Sequence, residues 1–143
     1  MCGHTVGADA LLERDAELRL FERLVEQAAS GRGGVVLIQA QAGLGKTELL
    51  RMAGTLAEAA GLRVVRARGS ELDRTFGFGV VRQLLERVVR ESPDLLDDGA
   101  ESAAAVFTAE PDEADAEDGL FTHLHALYWL TANLAARAPL VVL

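Results

Sequence analysis

An α/β fold with a parallel sheet is predicted by three features of this 143-residue chain. Short β-branched runs alternate with longer stretches of helical periodicity. The apolar runs are continuous rather than alternating, as strands covered on both faces of a parallel sheet require. A glycine-rich turn, Ala40-Gln41-Ala42-Gly43-Leu44-Gly45-Lys46-Thr47, joins the first such run to the helix that follows. Right-handed crossovers through the intervening helices follow from that pairing.

Residues 1–12 read as an N-terminal tail, and 13–143 as the domain. Leu18, Phe21, Leu24, Val25 and Ala28 give Arg14 to Ser30 the helical period, and Gly31-Arg32-Gly33-Gly34 stops it. Val35-Val36-Leu37-Ile38 is the first expected strand. Thr47 to Ala60 reads as a helix closed by Gly61, and Arg63 to Arg68 as a second strand closed by Gly69. Gly77-Phe78-Gly79 starts another helix, with Val80, Val81, Leu84, Leu85 and Val88 on one side up to Arg90. Leu95 to Phe107 is Ala-rich with helical potential, and the pattern is lost from Glu110 to Asp118. A helix from Leu120 to Arg137 and a third strand at Pro139-Leu140-Val141-Val142-Leu143 complete the reading.

Half of the residues are hydrophobic, enough for a core. The single cysteine, Cys2, has no internal partner, which fits a reducing, cytoplasmic setting. Met1 to Ala10 lacks the basic start and apolar run of a signal peptide. His125, Asn133, Arg137 and Pro139 make Leu124 to Leu143 a helix followed by a strand rather than a membrane span. The net charge of −8 argues against tracking a nucleic-acid backbone. Its source is local: Glu91 to Gly119 holds eleven of the 22 carboxylates and neither Lys nor Arg. A solvated, mobile insert over 91–119 is the expectation for that stretch.

Lys46 is the chain's one lysine against thirteen arginines, and it stands in the pattern A-x-x-x-x-G-K-T. This is the phosphate-binding loop with its first glycine replaced by Ala40. An ammonium is a compact point charge that fits a tight backbone loop, whereas a guanidinium is a wide fork. A helix N-terminus offers unpaired N–H groups and a partial positive charge. The N–H groups from Gly43 through Thr47 are expected to wrap a β-phosphate, Lys46 to bridge β- and γ-phosphate oxygens, and Thr47 to ligate Mg²⁺. Ala40, Gln41, Ala42, Leu44 and Glu48 complete the expected cofactor-binding segment. At Ala40 a positive φ would cost about 1 kcal/mol, and an extended conformation would cost nothing. His123 and His125 are expected on different helix faces, and Tyr128 and Trp129 in the core.

Further segments carry a resemblance. They are Leu12-Glu13-Arg14-Asp15-Ala16-Glu17-Leu18, the strand and loop from Val35 to Thr47, Arg66-Ala67-Arg68-Gly69-Ser70-Glu71-Leu72, and Phe76 to Leu84. His125-Ala126-Leu127-Tyr128-Trp129-Leu130, followed by Asn133-Leu134-Ala135, completes the set. Together they resemble the N-terminal ATPase module of the large ATP-binding LuxR-family regulators, within the STAND class of P-loop NTPases. The resemblance implies an AAA/STAND-like three-layer fold with a parallel sheet, and an ATP/ADP-dependent, Mg²⁺-assisted switch in transcription. It places Arg14 and Asp15 on the adenine side, with Arg14 among the cofactor-binding residues, while the loop chemistry makes Lys46 the catalytic residue. DNA contact is expected from a helix-turn-helix elsewhere in such regulators, not from this segment. Nucleotide is the expected partner, and self-association the further one.

In that family the strand starting at Leu140 runs on into paired acids, the Walker B element, and the next strand inserts beside the loop strand. The resemblance therefore implies an incomplete sheet truncated at the Walker B strand, with exposed edges and no measurable turnover by this chain alone. A fragment of another P-loop ATPase or small kinase, or a non-catalytic remnant, is the alternative reading.

Overall fold

A computed structural model describes residues 14–70, 78–108 and 117–143 of the chain. The expected tail 1–12, Glu13, the Glu71–Gly77 part of the resemblance and the patternless residues 109–116 lie outside the described residues.

The first helix, α1, spans Asp15–Ala29, with Asp15 and Glu17 placed against the positive end of its dipole. It ends where the Arg32 N–H bonds the Gln27 carbonyl at 2.9 Å. The second helix, α2 (Lys46–Ala59), ends in the same way, with the Leu62 N–H on the Ala57 carbonyl at 2.9 Å. That turn delivers the chain into β1 (Arg63–Val65). Helix α3 covers Gly79–Glu91, two 3-10 turns cover Pro93–Leu96 and Glu101–Ala103, and a short α4 covers Ala104–Thr108. Helix α5 runs over Glu117–Arg137 and leads into β2 (Leu140–Val142).

The two strands pair in parallel, with Arg63 opposite Leu140, Val64 opposite Val141 and Val65 opposite Val142. The Leu143 N–H to Val65 carbonyl bond (3.0 Å) and the Ala67 N–H to Leu143 carbonyl bond (2.9 Å) extend the ladder. Parallel pairing agrees with the sequence, but the sheet of the described residues has two strands. The expected first strand, Val35–Ile38, is not a strand. A strand exists only through a neighbour's hydrogen bonds, and nothing pairs with this segment among the described residues. Val35 is 98% and Leu37 86% exposed, while Ile38 packs inward. A cleft of about 490 Å³ lies between this segment and Leu140–Leu143, roofed by Phe21, Leu24 and Ala53. The second strand also stops at Val65 rather than continuing to Arg68.

Two buried clusters hold the described residues together. Phe21 of α1 meets Leu49 and Ala53 of α2, with Leu24, Ile38, Leu56 and Leu143 against them. The larger cluster joins Leu85 of α3 to Ala126, Leu127, Leu130 and Leu134 of α5. Leu95, Ala100, Ala103 and Val106 belong to it too, so the 93–108 part of the acidic stretch packs instead of forming a solvated connection. Its acids point outward from the 3-10 turns while its Leu, Ala and Val residues point in. Asn133 of α5 pins this stretch by donating to the carbonyls of Leu95 (3.2 Å) and Asp97 (2.9 Å).

Tyr128 and Trp129 are not core residues: Tyr128 is 65% and Trp129 39% exposed. Leu127, Leu130 and Leu134 take the inner face of α5 by the i, i+3, i+7 spacing, which turns positions 128 and 129 away from it. Trp129 donates its indole N–H to His125 Nε2 at 3.1 Å, and His123 meets the Phe78 ring edge-on at 6.0 Å between centroids. Among the described residues no helix is long and apolar enough to cross a membrane.

Candidate phosphate-binding loop

The glycine-rich turn lies between the irregular 32–41 segment and α2, whose first residue is Lys46. Gly43 has φ of 83° and Gly45 φ of 74°, both in the left-handed region that favours glycine. Successive residues of alternating hand turn their N–H groups toward one side of the chain, which makes a concave anion receptor. Gly45 occupies the N-cap position of α2, and no side chain caps that helix. The first-turn N–H groups therefore stay available to an outside acceptor.

Ala40 is not among the residues of positive φ. Its β-carbon is carried without backbone strain, so the substitution of the first loop glycine leaves the turn intact.

The Lys46 side chain folds back along the loop. Its Nζ donates to the Ala40 carbonyl at 2.6 Å and to the Gln41 carbonyl at 2.8 Å. Gln41 also accepts the Leu44 N–H at 3.4 Å, which closes the turn. Thr47 lies exposed in the first turn of α2. Glu48, expected among the cofactor-binding residues, forms an ion pair with Arg51, whose Nε lies 2.9 Å from Oε2. That hydrogen bond holds the Glu48 carboxyl below its ordinary range against a smaller opposing effect of burial. Glu48 therefore remains anionic and engaged along the helix.

Arg14 reaches the same loop from the start of α1. One terminal nitrogen donates to the Leu44 carbonyl at 2.8 Å, and the other to Glu17 Oε1 at 3.1 Å. Sequence reasoning missed Glu17; its i, i+3 spacing from Arg14 across the first turn is the signal that marks it. A cavity of about 210 Å³ adjoins the loop, walled by Arg14, Glu17, Phe21, Ile38, Ala40 and Leu49.

The parts fit a nucleotide phosphate: an uncapped helix start, two left-handed glycines and one ammonium on the loop. For a magnesium ion the Thr47 hydroxyl is the donor at hand, since no group of three His, Cys, Asp or Glu could hold a metal among the described residues.

Such a loop on a helix beside a small parallel sheet defines a nucleotide-binding module of the P-loop ATPase kind. The family model for the AAA ATPase domain matches residues 10–143, and the chain belongs to that family. Searches of curated proteins and of solved structures gave no significant match.

Proposed function

We propose that residues 40–47 bind ATP or ADP with Mg²⁺, and that the module is a STAND-type ATPase serving a LuxR-family transcriptional regulator in the cytoplasm. The observation that carries the site is the Lys46 ammonium, held on two loop carbonyls at an uncapped helix start. These carbonyls are neutral, so a phosphate oxygen offers Lys46 a stronger, charge-assisted bond. Lys46 then trades Ala40 and Gln41 for β- and γ-phosphate oxygens. The N–H groups of Gly43 through Thr47 converge on the β-phosphate, with the loop backbone from Ala40 to Leu44 forming the wall. Thr47 would hold the magnesium ion, which supplies charge neutralisation on the phosphates. Glu48 contributes by keeping Arg51 occupied away from the loop. Arg14 belongs to the site through its bond to Leu44.

The regulatory assignment is supported by the segments at 125–130 and 133–135 that resemble those regulators. In this reading the segment makes no direct DNA contact, and self-association is open to it through the outer edges of β1 and β2, which no other strand pairs with among the described residues.

Calorimetric titration with ATP and ADP, wild type against Lys46→Ala, tests the site. Loss of two charge-assisted bonds predicts an affinity lower by about 100-fold. Equal binding by both proteins would remove the function from the loop. Transcript profiling of a strain carrying Lys46→Ala tests the regulatory part, and an unchanged profile would sink it.

A further inference from the structure

We propose that Arg14 is a positioning residue for the loop, acting through the Leu44 carbonyl and making no contact with nucleotide. The proposal rests on the nucleotide-binding reading above. The resemblance implies an adenine-side contact for Arg14, but the geometry gives its guanidinium two other partners. One terminal nitrogen lies 2.8 Å from the Leu44 carbonyl oxygen and the other 3.1 Å from Glu17 Oε1.

The effect follows from the planarity of the peptide unit. The Leu44 carbonyl and the Gly45 N–H belong to one trans peptide and point in opposite directions. Pinning the carbonyl toward α1 therefore aims the Gly45 N–H the other way, among the donors of the loop. That peptide would otherwise turn easily, because Gly45 at φ 74° lies where glycine has freedom on both sides of zero. An ideal β-carbon on Gly45 would lie 4.0 Å from an Arg14 terminal nitrogen, so the guanidinium spans this peptide at close range.

Arg14 is itself fixed. It occupies the N-cap position of α1, its own carbonyl accepts the Leu18 N–H at 3.0 Å, and Glu17 orients the guanidinium fork. The contact of Phe21 with Leu49 holds α1 against α2 behind it. The start of α1 thus sets the orientation of one loop donor across thirty residues of sequence.

The experiment compares ADP with tripolyphosphate, which has the phosphates and no base, on the full chain. Arg14→Ala is expected to weaken both ligands by the same factor of about ten, the worth of one charge-assisted hydrogen bond. Arg14→Lys is expected to recover most of the loss, because an ammonium also donates to the Leu44 carbonyl. Weaker ADP binding with unchanged tripolyphosphate binding would place Arg14 on the base and overturn the proposal. Unchanged binding of both ligands would overturn it as well. Where Arg14→Ala does not fold, Glu17→Gln serves: a shifted Gly45 amide resonance and binding weaker by about two- to threefold are expected. An unmoved Gly45 amide overturns the proposal. Wild-type protein that binds neither ligand, or binds them as Lys46→Ala does, removes the nucleotide reading of the loop and this proposal with it.

Discussion

The ammonium of Lys46 lies 2.6 Å from the carbonyl oxygen of Ala40, so the loop's charged end is tied to its opening residue. The bond spans six residues and uses a neutral acceptor, which leaves the ammonium ready to exchange partners. Its compactness matters, because two carbonyls share it within one tight turn.

Lys46→Arg is accordingly expected to fail as a conservative change. The guanidinium fork is too wide for the space between the Ala40 and Gln41 carbonyls. ADP affinity should fall to within about threefold of that of Lys46→Ala, using the scale of one weak hydrogen bond. Calorimetry that finds near wild-type affinity would contradict the size argument.

Ala40→Gly should leave nucleotide affinity unchanged. Ala40 is not at positive φ, so the native turn gains nothing from glycine. The unfolded chain gains freedom, and stability should drop by about 0.4–1 kcal/mol. Urea denaturation of the pair would show it, and a more stable variant would mean the turn is strained at Ala40 after all.

Gly99 has φ of 95°, and a β-carbon there would sit 3.3 Å from the Trp129 indole. Gly99→Ala should destabilise by about 1–3 kcal/mol, since the backbone is strained and the indole must shift. Trp129 is the chain's one tryptophan, so its fluorescence reports the displacement directly. An unshifted spectrum with an unchanged unfolding midpoint would refute the contact.

Leu130→Ala and Tyr128→Ala, two positions apart on α5, should behave very differently. Leu130 has no exposed surface, and its truncation should cost about 2–5 kcal/mol. Tyr128 is mostly exposed, and its loss should change stability by about 0.5 kcal/mol or less. Comparable costs at the two sites would show that Tyr128 is buried in solution.

Asp94 and Arg137 form an ion pair between the first 3-10 turn and the end of α5. The hydrogen bond from Arg137 holds the Asp94 carboxyl below its ordinary value of 3.8. A carboxyl lowered by folding contributes stability above its unfolded pKa and loses it as pH falls through the folded one. Arg137→Ala should therefore raise the Asp94 pKa toward its ordinary value of 3.8, and the variant's stability deficit should shrink below that value and vanish only once the pH has fallen through the lowered wild-type pKa. Carboxyl titration by NMR that shows no movement of Asp94 would discard the pair.

Much of this arrangement was legible in the residues. The helical period at Leu18, Phe21 and Leu24 placed α1, and the loop pattern placed the start of α2 at Thr47, one residue past its observed start at Lys46. Val35–Ile38 misled because β-branched composition signals a strand only when a neighbour pairs with it. Tyr128 and Trp129 misled for a different reason: their size suggested burial, whereas position on the helix decided it. The acidic stretch hid Leu95, Ala103 and Val106 among charges that dominate its composition. Arg14 on Leu44 was beyond sequence reasoning, because local spacing carries no information about a contact thirty residues away.

Lys46 has one more property, which concerns covalent chemistry. It carries the chain's one ε-amino group, and two carbonyls and a half-buried setting hold it in place. An amine-selective acylating reagent therefore has one side chain to modify, and a peptide map separates it from the α-amino group at the start of the chain. The mass added there, compared with and without a competing ligand, turns loop occupancy into a single-site count.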